Sequence, residues 1–435
     1  MTALSRRHFF FSAGMAMTAA QATRVLGAND RIQVGIIGLG GRGGSHVNTY
    51  SQIPECDIAA LCDVDQASLE RAQARVEKLK GQKVKGYVDM KDVFADKNVD
   101  AVSMPLPNHW HALATIWACQ AGKDVYLEKP ACHNVFEGLK MIEAARKYNR
   151  IVQIGSQGRS APHKIKAAQL LRDGVIGKVY MAKGLCFKRR KSIGRTPEGP
   201  IPAGVDWDKF LGPAPMRPFM ANRFRYNWHW FWDTGNGDIG NQGIHEMDIA
   251  RWGFGRPGLP QSVVSTGGKY AYDDDQETPN TQIATFDYGD GEIVFEVRGI
   301  LTGGEGGLAA DRPGGNVIGD LFYGSDGWMA LSGGSFQVYQ GEKGEKTMDE
   351  KGAGSDRPHY LNFFQAMRSR NPKDLNADVE VGVWSAILVH LANASYRVKR
   401  ELAFDEKTMT FPGDAEATRL LTRVYRPPYV VPEKV

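Results

Sequence analysis

From Arg31 to about Gly155, short apolar runs alternate with stretches whose apolar residues recur at helical spacing. Arg31–Ile37 reads as a strand, and a helix begins over Gly44–Ser51. A second strand, Asp57–Leu61, ends at Cys62-Asp63, and Gln66–Leu79 carries Leu69, Ala72 and Val76 on one helical face. Val99–Met104 reads as a strand, Ala112–Ala121 as a helix stopped by Gly122, and Asp124–Leu127 as a strand running into Glu128-Lys129-Pro130. Val135–Tyr148 is a further helix and Arg150–Ile154 a last strand. Strands alternating with helices of about 10–15 residues predict an α/β chain with a doubly wound parallel sheet. In such a sheet the ligand sits at the carboxyl ends of the strands.

After Gly155 the texture changes. Lys164–Asp173 reads as a helix, and Gly194–Pro218 is rich in glycine and proline. Strand candidates with alternating patterns follow at Val263–Lys269, Thr281–Asp287, Glu292–Val297, Gly319–Tyr323, Trp328–Ser332 and Phe336–Tyr339. Turns at Tyr288-Gly289-Asp290-Gly291 and Gly324-Ser325-Asp326-Gly327 mark hairpins, so this half predicts a mostly antiparallel sheet. A final helix, Val381–Val398, packs on it. The expected division is a leader over 1–28, a parallel-sheet domain over 29–155 and a second α/β domain over 156–435.

The first strand runs into Gly38-Leu39-Gly40-Gly41-Arg42-Gly43, and Asp63 follows about 20 residues later. That is the context in which a glycine pattern marks a dinucleotide site. Gly38 turns the chain out of the strand, Gly40 admits a pyrophosphate to the backbone, and Gly43 lets the next helix pack on the sheet. Asp63 is placed to accept hydrogen bonds from a ribose, or else to cap the helix at Gln66. No arginine occurs in Asp63-Val64-Asp65-Gln66, which favours NAD over NADP.

Other strand ends carry polar chemistry. Lys129 follows a strand, where an amine of lowered pKa can manage the proton of a substrate hydroxyl as hydride leaves. In Pro105-Leu106-Pro107-Asn108-His109-Trp110-His111 the prolines fix a turn, Asn108 can cap the helix, and the histidines face the cofactor edge or pack. If a helix starts near Gly243, then His245, Asp248 and Ile249 share a face, and Asp248 can fix the tautomer of His245. The aromatics of Phe224–Trp232 alternate with polar residues, a pattern that suits a sugar face or a core, with Trp230 the substrate candidate.

Composition narrows the partners. The chain has 435 residues, 42% of them apolar, and a net charge of +5 that is too mild to imply nucleic acid. The run Lys188-Arg189-Arg190-Lys191 reads as a solvated loop. No apolar stretch approaches the ~20 residues of a membrane span. The five cysteines show no CxxC and read as small buried hydrophobes, not metal ligands. At the N-terminus, Arg6-Arg7 precedes an apolar, small-residue run, which predicts a twin-arginine leader, export by that machinery in the folded state, and a periplasmic location.

With these motifs and the Gly235–Asp248 block, the chain resembles the Gfo/Idh/MocA oxidoreductases over nearly its whole length after the leader. The resemblance implies a Rossmann domain, a C-terminal α/β domain with a large open sheet that mediates homo-oligomers, and NAD(P)-dependent hydride transfer on sugars or cyclic polyols. By position it makes Lys129 the catalytic lysine and His245 the catalytic histidine. The family commonly carries aspartate where Asn241 stands, and an amide positions a hydroxyl but cannot pass a proton; the relay then falls on Lys129 and His245, with Asp238 or Asp248.

The expected cofactor set is Gly38, Leu39, Gly40, Arg42, Gly43, Asp63, Pro107, Asn108, His111, Glu128 and Lys129. The expected substrate set is Lys129, Arg159, Trp230, Asn241 and His245, and the catalytic set Lys129, His245, Asn241 and Asp248. Net hydride transfer is the leading expectation. Its rivals are a redox-neutral glycosidase or lyase that oxidises its sugar transiently, and a carbohydrate-binding protein without catalysis.

Overall fold

The computed structural model describes residues 31–312 and 314–435, so the expected leader lies outside the described residues. The first half builds β1 (Ile32–Ile37), α1 (Gly41–Gln52), β2 (Cys56–Cys62), α2 (Gln66–Lys80), β3 (Lys85–Tyr87), α3 (Met90–Ala95), β4 (Ala101–Met104), α4 (His111–Gln120), β5 (Asp124–Leu127), α5 (Val135–Lys147) and β6 (Val152–Ile154). Its six strands run parallel in the order β3-β2-β1-β4-β5-β6, the doubly wound arrangement that the alternation predicts. Apolar runs such as β4 and β5 are wholly buried because helices cover both faces. β3 and α3, of three and six residues, are too short to show in the pattern.

The second half contains α6 (Pro162–Arg172), β7 (Val179–Phe187), α7 (Trp207–Leu211), α8 (Gly237–Asn241), α9 (Gly243–Phe254), β8 (Ser262–Gly268), β9 (Thr281–Asp287), β10 (Glu292–Arg298), β11 (Val317–Gly324), β12 (Gly327–Ser332), β13 (Ser335–Gln340) and β14 (Glu345–Lys351). There follow α10 (Arg357–Ser369), α11 (Val379–Val398), β15 (Leu402–Ala403) and α12 (Ala415–Arg419). The nine-stranded sheet has the order β14-β13-β12-β11-β7-β10-β9-β8-β15, antiparallel except where β7 and β10 run together. β7 has no counterpart among the expected strands, yet it is the centre of this sheet.

Two late helices tie the halves together. α10 delivers Tyr360, Phe363 and Phe364 to the core around Tyr50 and Tyr126, and the rings of Tyr126 and Tyr360 stack 4.5 Å apart. α11 is buried along most of its length because it lies between α5 and β8, and is not amphipathic for that reason. The chain also crosses directly beside Asp63: the Gln66 N–H donates to the Gly204 carbonyl and the Asp206 N–H to that of Val64, each at 2.9 Å.

Candidate active site

A cavity of about 870 Å3 runs along the carboxyl ends of β1, β2, β4 and β5. Gly38 turns out of β1 at φ +92°, and a side chain there would press on the Pro105 carbonyl. A Cβ on Gly43 would collide with the Gly38 carbonyl oxygen, so α1 can approach β1 only as glycine. A Cβ at Gly40, Gly41 or Gly44 meets nothing within 4 Å, and no side chain caps the first turn of α1. The free N–H groups of that turn open on the cavity, a ready-made anion site. This cradle fits a dinucleotide.

Asp63 stands at the end of β2. Its oxygens accept the Leu39 N–H at 2.6 Å and the Asp65 N–H at 2.8 Å, bracing the glycine loop. Burial raises its pKa, and the same two N–H groups pull it back. The alternative capping role belongs to Asp65, which accepts the Ala67 N–H at 3.2 Å.

At the end of β5, Glu128 and Lys129 divide the work. Glu128 is 4% exposed, and one oxygen receives Arg42 Nε, His46 Nε2 and Gln157 Nε2, each at 2.9 Å. Burial disfavours its charge, but His46 and Arg42 override that and hold its pKa well below the usual range. Glu128 thus fastens α1 to β5 through one oxygen, while the residue also lines the cavity. Lys129 is half-buried, and its Nζ donates to the Asn241 main-chain carbonyl at 2.8 Å. Burial, with help from the Arg42 charge, pulls its pKa down to about 8 against the pull of Glu128.

Lys129 also lines a second cavity, of about 450 Å3, shared with His245, Gln242, Glu246, Gln157 and Lys164. α9 starts at Gly243 as expected and carries His245 to this space. The ring of His245 forms no hydrogen bond among the described residues, and burial beside the Lys129 charge keeps it neutral, far below its usual pKa.

Several expected roles are corrected. Asp248 does not orient His245: it grips Arg159 through Nε at 2.7 Å and a second nitrogen at 2.9 Å, and accepts Ser385 Oγ at 2.6 Å. A guanidinium fork offers a carboxylate two charge-assisted bonds where an imidazole offers one, which also removes Arg159 from the substrate set. Asp238 is likewise held by Arg190 at 2.9 and 2.6 Å and relays nothing.

Trp230 is 3% exposed beneath the Arg190 guanidinium; the cavity wall is made by Phe224, Tyr226, Trp228 and His229 instead. Residues Arg225–Trp230 wind as a 3-10 helix, so a period of two does not describe their faces. Asn108 turns away to the Asn236 side chain, and both nitrogens of His111 face the carbonyls of Pro130 and Leu106. These residues brace the turn, while Pro107 lines the cavity. The Asn241 amide donates to Tyr226 Oη at 3.0 Å.

Sequence reasoning missed Lys188, Gln242, Lys164 and Glu246. The sequence reads Lys188 as part of a solvated loop, yet it lines the larger cavity and donates to Gln242 at 2.7 Å. Glu246 stands four residues after Gln242, a helical spacing that was the available signal.

Residues 32–156 match the oxidoreductase family's NAD-binding Rossmann fold, and residues 164–302 and 331–431 match its C-terminal α/β domain. The chain belongs to the Gfo/Idh/MocA oxidoreductases. A glycosyl hydrolase family 109 protein of Shewanella sp. (strain W3-18-1) is 26% identical over 154 residues, 34% of this chain and 34% of that protein. The chain therefore spans about a third of the length of that relative. An inositol 2-dehydrogenase/D-chiro-inositol 3-dehydrogenase of Lactiplantibacillus plantarum is 28% identical over 151 residues, 34% of this chain and 42% of its own. Levoglucosan dehydrogenase, solved with NADH and levoglucosan, shares the fold with a TM-score of 0.65 at 16% identity, over 86% of this chain and 99% of that one.

Proposed function

We propose that this family member moves a hydride between NAD and a secondary alcohol of a sugar or cyclic polyol. The observation that carries the reading is the position of Lys129, which lines both the glycine-rich cavity and the smaller one beside His245. When bound, the nicotinamide supplies the acceptor or donor of hydride. Lys129, as the neutral amine, takes the hydroxyl proton; as the ammonium, it stabilises a carbonyl oxygen. Neutral His245 accepts a hydrogen bond from a neighbouring hydroxyl, and Tyr226 and Trp228 wall the ring's apolar side. The names of the inositol and levoglucosan dehydrogenases support a polyhydroxylated substrate.

The test is to purify the protein, identify its nucleotide by mass, and follow the reduced-nicotinamide absorbance against a panel of sugars and inositols. Absorbance growth with one of them is expected. No bound nucleotide and no response to any sugar overturns the reading and leaves a carbohydrate-binding role.

A second reading, redox-neutral glycoside cleavage, is favoured by the family 109 relative. It predicts release of aglycone without net change in nicotinamide. We also propose export through the twin-arginine route to the periplasm, from Arg6-Arg7 and the run after them. Replacing both arginines by lysine then retains the protein in the cytoplasmic fraction. Association through the large sheet is tested by light scattering.

A further inference from the structure

Oxidising a secondary alcohol moves one hydride and one proton, and Lys129 with His245 suffices for that proton. The smaller cavity holds a surplus titratable group. Glu246 lines it beside His245 and is 5% exposed. Its carboxyl braces no other element: its side-chain partner is the Gln242 amide one turn earlier, at 3.3 and 3.4 Å. Burial pushes its pKa up to about 7, against the nearby charges of Lys164 and Lys188.

Lys164 lines the same space, and its ammonium makes no hydrogen bond or ion pair among the described residues. Electrostatically linked to Glu246, Asp320 on β11 is fully buried, and neither of its oxygens has a hydrogen-bond partner. Burial, with the charges of Glu246 and Asp248, raises the pKa of Asp320 well above the usual carboxylate range despite Lys164. Buried carboxyls that anchor nothing cost stability, and such groups gather where protons are moved.

We propose that Glu246 is a second proton-transfer residue of the substrate cavity, acting at the carbon next to the one that loses hydride. The proposal rests on the hydride-transfer reading above. Once the alcohol carbon has become a carbonyl, the adjacent C–H is acidic. The Glu246 carboxylate takes that proton, and the electron pair forms a C=C bond and moves onto the oxygen beside the Lys129 ammonium. Return of the proton from Glu246 restores the ketone. Where the next carbon bears a glycosidic oxygen, re-formation of C=O breaks that C–O bond, and the departing oxygen takes the proton from Glu246. That elimination is the step which the redox-neutral reading above requires of this cavity.

The experiment uses the full NAD-loaded protein in D2O with methyl glucosides, methyl galactosides and myo-inositol. Deuterium entry next to the oxidised carbon is followed by NMR, beside nicotinamide reduction. For Glu246→Gln, the ratio of exchange to hydride transfer falls by about 100-fold or more. Independently of turnover, 13C-labelled glutamate shows a carboxyl titrating near neutrality that is absent in Glu246→Gln, and its midpoint rises in Lys164→Met. An unchanged exchange ratio, or a signal lost in Glu246→Gln that titrates at about 4 to 5, overturns the proposal; Glu137, also pushed up to about 7 by burial, is told apart because its signal persists in that variant. Reduction without exchange in the unmodified protein sinks this proposal alone. No reduction with any sugar sinks the hydride reading as well.

Discussion

Lys129 Nζ donates a 2.8 Å hydrogen bond to the main-chain carbonyl of Asn241, joining the end of β5 to the end of α8 across 112 residues of sequence. The side chain of Asn241 meanwhile points to Tyr226 and Asp238. The contact that steadies the lysine therefore comes from backbone, which any residue supplies. The amide in place of an acid changes the neighbourhood of Tyr226 and leaves the hold on Lys129 intact.

Lys129→Met removes the amine and keeps its apolar stem. Turnover is expected to fall by about 100- to 10,000-fold, with nucleotide still bound by calorimetry, because the cradle at Gly38–Gly43 is untouched. Loss of nucleotide binding in this variant contradicts the assignment.

The pH dependence has a definite sign. Burial lowers the Lys129 pKa to about 8, so the amine is neutral above that value and charged below it. Alcohol oxidation needs the neutral amine, and its rate rises with pH through about 8 to a plateau. Carbonyl reduction needs the ammonium and declines over the same range. Rate profiles in both directions, compared with Lys129→Arg, decide this.

Asp248→Asn leaves the buried Arg159 without its counter-charge. A loss of about 3–5 kcal/mol is expected in urea unfolding, with the pH profile of the folded enzyme unmoved. A shifted profile at unchanged stability would restore Asp248 as the partner of His245.

Asp63→Ala removes two braces of the glycine loop, together with the carboxylate that we propose accepts from the ribose. Charge-assisted bonds of this kind are worth about 1.5–3 kcal/mol, so NAD affinity falls by about 10- to 100-fold in a fluorescence titration.

Gly43→Ala drives a methyl into the Gly38 carbonyl oxygen and forces α1 off β1. Unfolding midpoints should report a loss of about 1–3 kcal/mol. Nucleotide affinity should drop with it, whereas Gly44→Ala, whose Cβ meets nothing within 4 Å, leaves the fold unchanged.

By itself the sequence determined the parallel sheet, the tight turn at Gly38, the start of α9 at Gly243 and the placing of Asp63 and Lys129 at strand ends. Each of these follows from short-range physics: backbone sterics at glycine, and the period at which apolar residues must repeat to face a core. Tertiary structure alone decided which polar groups meet. Asp248 found Arg159 at a separation of 89 residues, not His245 one turn away, because the distant guanidinium offers two charged bonds. In the same way α10 returned to complete the first domain, Arg190 drew Asp238 and covered Trp230, and Glu246 came to face the cavity of Lys129. Competition for a single carboxylate or a single buried surface is settled among segments far apart in the chain, and local patterning carries no record of it.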